Sequence, residues 1–191
     1  VNIFILSKDP KEAAQMHCDK HVPKMIVESA QMLSTAHRIL DGEEYLAPSK
    51  SGKRMVKHYR LPKNDDLIYK AVHAGHPCTV WTMQSDSNYL WHYYFWSYLA
   101  EEFEYRFKKV HASWEKLKDI LCYIPENLPR RDMSPFALAM PDRCKITNDP
   151  VKCYRYYYIA EKFRFAKWEK GRDCPDWMKG WNTEATNTIH G

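Results

Sequence analysis

Apolar residues recur along most of the chain at intervals of three and four, the period of helices with one face turned inward. The clearest case lies over 23–40, where Met25, Ile26, Ala30, Leu33, Ala36 and Leu40 make an apolar face. Lys24, Glu28, Gln31 and Thr35 make its polar edge, and Asp41-Gly42 stops it. Upstream, Asp9-Pro10 is a start signal: Asp caps free amides, and proline in the first turn forfeits no needed N–H. A helix is predicted over about 10–20, with Pro23 as a kink or restart. Residues 65–74 predict a short helix and Pro77 begins another. Ser85-Asp86-Ser87 caps a stretch over 86–110 that carries Tyr89, Trp91, Tyr93, Tyr94, Phe95, Trp96 and Tyr98. Helices over about 111–122 and, after Asn148-Asp149-Pro150, to about Lys170 complete the set. Residues 2–6 read instead as a buried extended lead. The expected fold class is mainly α: a single compact helical domain over 1–191, with one long central helix and a short extended N-terminal lead. Residues 41–64 and 123–149, broken by Gly and Pro, are expected as loops, and 178–191 as a frayed tail.

Composition narrows the class. A chain of 191 residues suits one domain. No apolar run reaches the roughly 18 residues of a membrane span, so no membrane partner is expected. The apolar lead is too short for a signal peptide and lacks a basic start. Six cysteines include no Cys-x-x-Cys pair, which fits free thiols in a reducing compartment. Cytoplasmic location and a monomeric state are the expectations.

Charge adds a partner. The net charge is +5, and from Lys50 to Lys63 the chain carries Lys50, Lys53, Arg54, Lys57, Arg60 and Lys63 with His58 and no acid. Such a run is either a solvated loop or a flap for phosphates, whose counterions are released on contact. A second basic and aromatic zone holds Lys145, Lys152, Tyr154, Arg155, Tyr156, Tyr157, Lys162, Arg164 and Lys167. It reads as an amphipathic helix with snorkelling cations or as a groove tracking a nucleic-acid strand. DNA is the expected partner. Its candidate contacts are Lys20, Lys50, Lys53, Arg54, Lys57, Arg60, His76, Lys145, Arg155 and Lys162.

Candidate chemistry concentrates in His17-Cys18-Asp19-Lys20-His21-Val22-Pro23-Lys24 with Glu28. On an unbroken helix His17, His21, Lys24 and Glu28 lie within about 60° of arc. Two imidazoles, an ammonium and a carboxylate on one stripe need solvent or one another. The stripe is a charged outer face, an acid–base site, or a metal site in which His17 and His21 are joined by His73, His76 and Cys78. No paired-Cys or His-Glu-x-x-His motif accompanies it, and neither metal nor other cofactor is expected.

The N-terminal lead, the His21-Val22-Pro23-Lys24 run, Ala74-Gly75-His76 and Pro175-Asp176-Trp177 resemble the pyrimidine-dimer DNA glycosylases of phage endonuclease V type. The resemblance covers about a quarter of the chain. His17 to His21, Ala139-Met140-Pro141-Asp142, and Arg155-Tyr156-Tyr157-Tyr158 with Glu161-Lys162 are similar to a phage-encoded family loosely allied to it. The resemblance implies an all-helical, cofactor-free glycosylase and abasic-site lyase. In it an N-terminal α-amino group attacks the sugar and a carboxylate steers the resulting imine. Carried over, Val1 presents the amine. The α-amino class is suited to this, because its usual pKa of about 8 against about 10.4 for lysine leaves far more neutral nucleophile. The family's carboxylate position holds His21 here, so the acid is Asp19 or Glu28, or His21 acts as general base. The catalytic candidates are therefore Val1, His17, Asp19, His21, Lys24 and Glu28. The first functional expectation is cleavage of the glycosidic bond of a damaged or modified pyrimidine. The alternatives are a phage DNA base- or nucleotide-modifying transferase and a non-catalytic DNA-binding protein.

Overall fold

The computed structural model of the chain describes residues 1–180. They form α1 (Pro10–Met16), α2 (His21–Asp41), β1 (Glu43–Pro48), β2 (Met55–Arg60), α3 (Pro77–Thr82), α4 (Asp86–Phe107), α5 (Ala112–Leu121) and α6 (Pro150–Tyr157). A 3-10 turn at Asp142–Cys144 and a π turn at Tyr158–Lys162 follow the irregular stretches. The fold is mainly helical, as the periodicity predicts.

The expected single long central helix is corrected to a pair. α2 has 21 residues and α4 has 22, and the two pack against each other. Pro23 does not interrupt α2. It sits in the first turn, where backbone amides have no partner within the helix. The break falls earlier, over 17–20. There Tyr158 Oη accepts the Cys18 amide at 3.0 Å and the Lys167 carbonyl accepts the Asp19 amide at 2.9 Å. The caps read from the sequence are in place. Asp9 Oδ1 accepts the Lys11 amide, Ser85 Oγ the Asn88 amide and Asp149 Oδ1 the Val151 amide.

Phe4, Ile5 and Leu6 of the extended lead are buried among α1, α2 and α4, in one continuous apolar cluster with Ile26, Leu33, Tyr89, Phe95, Trp96 and Tyr158. Burying several such rings, each about 150–250 Å², is the main driving force for this arrangement. The first half of α4 is enclosed on most sides, which is why polar His92 needs partners. Thr82 donates its hydroxyl to the Cys78 carbonyl, so it accepts Nδ1–H of His92 at 2.8 Å, and Nε2 accepts the Ser29 hydroxyl at 2.9 Å.

Two further expectations are overturned around Arg38. The 41–64 segment is not a loop but an antiparallel hairpin of β1 and β2, with Tyr45 opposite His58 and Leu46 opposite Lys57. The predicted helix over 65–74 is absent. Buried Arg38 draws the carbonyls of Asp65 (2.7 Å), Ile68 (2.6 Å) and Tyr69 (3.1 Å) onto its guanidinium, along with that of Tyr59 and the Asp65 carboxylate. Carbonyls so engaged do not build a helical ladder. The segment instead runs as a strap back along α2, where Thr35 Oγ1 bonds both backbone groups of Val72. The predicted helix to Lys170 ends at Tyr157, where the π turn begins. Residues 176–180 are helical; the rest of the expected frayed tail lies outside the described residues.

Candidate functional site

The strap and α3 bring residues 73–78 against the start of the chain. Asn2 fixes that start. Its Nδ2 donates to the Ala139 carbonyl at 2.7 Å and its Oδ1 accepts the Ile3 amide at 2.8 Å. The Tyr154 hydroxyl lies 3.1 Å from the same oxygen, and the Cys78 thiol 3.6 Å. Val1 is thereby held over α2 with its nitrogen 3.7 Å from Glu28 Oε1. The two side chains are 5% and 14% exposed. Glu28 Oε2 has no hydrogen-bond partner among the described residues. A carboxylate oxygen so enclosed and unpaired costs free energy, which an incoming donor recovers.

His76 faces the same spot. Its Nδ1 caps α3 by accepting the Cys78 amide at 3.1 Å. Burial pushes its pKa down, the Val1 nitrogen and His73 push further, and Glu28 opposes them. His76 therefore senses both charges of the pair. His73, whose carbonyl accepts the His76 amide at 3.0 Å, holds a left-handed backbone with φ of 51°.

Cations border the lead near His21. Lys162 Nζ lies 4.9 Å from the Tyr157 ring centre and 5.9 Å from that of Phe4. Lys20 Nζ lies 4.6 Å from the Phe165 ring, and Lys24 is exposed on the first turn of α2. All three are close enough to depress His21 electrostatically.

The remaining catalytic candidates are placed elsewhere. The stripe of His17, His21, Lys24 and Glu28 is broken because α1 ends before His17. His17 is fully buried and donates Nδ1–H to the Ala13 carbonyl at 2.7 Å; burial lowers its pKa to about 3. His21 stacks on Phe4 at 4.7 Å with Nδ1 2.6 Å from Tyr158 Oη. Burial first, then His17 and the lysines, lower its pKa to about 2. Both rings are neutral parts of the interior, so they are withdrawn as acid–base groups. Asp19 is committed to structure too. It accepts Arg106 Nη1 at 3.2 Å and the Glu169 amide at 2.7 Å. Arg106 also donates to Glu102 and to the carbonyls of Gln15 and His17.

The DNA candidates divide similarly. Lys50, Lys53, Arg54, Lys57 and Arg60 lie exposed on the hairpin; Lys57 pairs with Glu44 at 3.3 Å. Arg155 is half-buried and donates Nε–H to the Leu6 carbonyl at 2.9 Å, so it braces the lead. Lys145 pairs with Asp142 at 3.0 Å. No group of three or more His, Cys, Asp or Glu side chains among the described residues is arranged to hold a metal ion. Sequence reasoning missed Asn2 and Arg38; nothing local marks them, because their partners lie far along the chain. No family model matches the chain, and no curated protein or solved structure does either.

Proposed function

We propose that the chain is a DNA-acting enzyme of glycosylase and abasic-site lyase type, in which Glu28 is the carboxylate partner of the nucleophile, the Val1 α-amine in a protein whose terminus is Val1. One observation carries this reading: the Val1 nitrogen stands 3.7 Å from an enclosed carboxylate with a free oxygen. In this reading the nitrogen bonds to C1′ of an extruded nucleotide and the bond from C1′ to the base breaks. The amine proton passes to Glu28, and the departing base takes up a proton. Glu28 returns that proton to O4′ as the sugar ring opens, which leaves a protonated imine between Val1 and C1′. Loss of a 2′ proton then expels the 3′ phosphate by β-elimination. Lys24 and Lys162 hold the flanking phosphates, and the rings of Tyr157 and Phe165 offer faces to an unstacked base.

The transferase alternative gives other work to His21 and Glu28; of these, His21 lies 2% exposed beneath Phe4 and Tyr158 and lends it no support. The DNA-binding alternative keeps the cations and drops the chemistry. Borohydride trapping on abasic-site DNA separates them. A covalent adduct is expected with the chain whose free amine is at Val1, checked by N-terminal sequencing, and none after acetylation of that amine. Salt-sensitive binding with no adduct leaves a binder alone.

A further inference from the structure

The hairpin is more than a patch of charge. Its inner face is closed by a stack in which the Arg60 guanidinium lies 4.6 Å from the Tyr45 ring and Tyr45 lies 5.4 Å from the His58 ring. Alternation then places Leu46, Pro48, Met55 and Lys57 together on the outer face. Leu46 is 65% exposed and Met55 is 58% exposed. Nothing in the chain covers them among the described residues. The tip is a tight turn with Gly52 at φ 72°, where the Ser49 amide donates to the Arg54 carbonyl at 2.7 Å, and it carries Lys50, Lys53 and Arg54. Two apolar side chains thus sit within a fringe of cations on a two-stranded ribbon.

We propose that β1–β2 is a groove-entering arm for duplex DNA, with Leu46 and Met55 as apolar wedges that unstack a base step and bend the duplex. The inference rests on the nucleic-acid reading above and adds a mode of engagement to it. Charge complementarity selects the partner: the tip and the outer face of β2 together present Lys50, Lys53, Arg54 and Lys57 to phosphates on either side of a groove. A two-stranded ribbon is the right width for a groove, and apolar side chains inserted between base steps are a known means of kinking the helix. Pro48, opposite Met55, stiffens the same face. The placement also suits the proposed chemistry. The hairpin leaves the far end of α2, thirteen residues beyond Glu28, or about 20 Å of helix. A duplex gripped by the arm and kinked there is weakened within one turn of the nucleotide that must be extruded.

The test uses the full chain and a duplex holding one abasic site, with 2-aminopurine as a stacking reporter and end labels for bending. The unaltered chain is expected to raise the reporter's fluorescence and shorten the end-to-end distance. Leu46→Ser/Met55→Ser is expected to abolish both and to slow adduct trapping on the duplex about tenfold. On a single-stranded abasic oligonucleotide, which needs no kink, its trapping is expected to match the unaltered chain. Both side chains are exposed, so folding should be kept, and circular dichroism checks this. Unchanged unstacking and bending by the variant overturns the arm. So does loss of binding to phosphatidylglycerol vesicles with duplex behaviour intact, which would make the face a lipid contact. Kinking that depends on Leu46 without any adduct on either substrate sustains the arm and removes the lyase reading instead.

Discussion

Two sets of ionisable groups near the start of the chain look alike in sequence and differ in space. His17, Asp19 and His21 are deep; both Asp19 oxygens and the Nδ1 atoms of both rings have partners within the protein, and the enclosed atom without one, His17 Nε2, belongs to a neutral ring. Val1 and Glu28 are shielded yet incompletely matched, a charged pair with one carboxylate oxygen left over. Satisfied groups hold a structure together, whereas a group held ready but unmatched can meet a ligand. The difference ranks candidate groups better than the density of histidines does.

The comparison breaks most decisively at Arg106. Replacing it by Ala strands Asp19 and leaves Glu102 short of a partner, and chemical denaturation should show a loss of about 3–5 kcal/mol. Glu28→Gln keeps the shape and should leave denaturation nearly unchanged. It is expected to cut the rate of adduct formation about a hundredfold or more in single-turnover trapping. Equal stability losses for the two variants would erase the distinction drawn here.

Acid sharpens it. Burial lowers His17 to about 3, His21 to about 2, His92 to about 3 and His37 to about 4. In the unfolded chain each titrates near 6.5, so between that pH and its folded value the unfolded state binds the extra proton. Stability is therefore full above about pH 6.5 and falls as pH drops, by up to about 1.4 kcal/mol per pH unit for each such histidine. Urea midpoints measured from pH 7 to 5 should show the decline. His92→Gln should lower stability at pH 7 but flatten the slope by about one proton.

The smallest effect belongs to the border. Lys24→Gln and Lys162→Gln should each weaken DNA binding a few-fold and reduce the slope of log affinity against log salt by about one. A slope unmoved by either places the DNA elsewhere.

Much of the helical frame was legible. The α2 face, the Asp9, Ser85 and Asp149 caps and the enclosed start of α4 all follow from local rules. What local rules missed was set by distant partners. Lys167 and Tyr158 end the first helix early, and Arg38 diverts carbonyls that would have closed turns over 65–69. The hairpin was hidden because its cations read as a solvated loop. At the site, Val1 and Glu28 were legible as candidates through the resemblance, while His17 and His21 misled because a continuous helix was assumed across 17–20. Asn2, which sets the position of Val1, offers no sequence signal at all.

The five-residue π turn after α6 has a consequence of angular phase. Tyr158 at its start turns its hydroxyl toward Cys18 and His21, whereas Lys162 at its end rests on Tyr157 and Phe4. A π turn holds one residue more than an α turn. Deleting Ala160 would let the segment close as an ordinary α turn, bringing the lysine one residue nearer along the chain and shifting its bearing while the tyrosine stays where it is. No point substitution does this: the chemistry of both side chains is retained and only their relative bearing is reset.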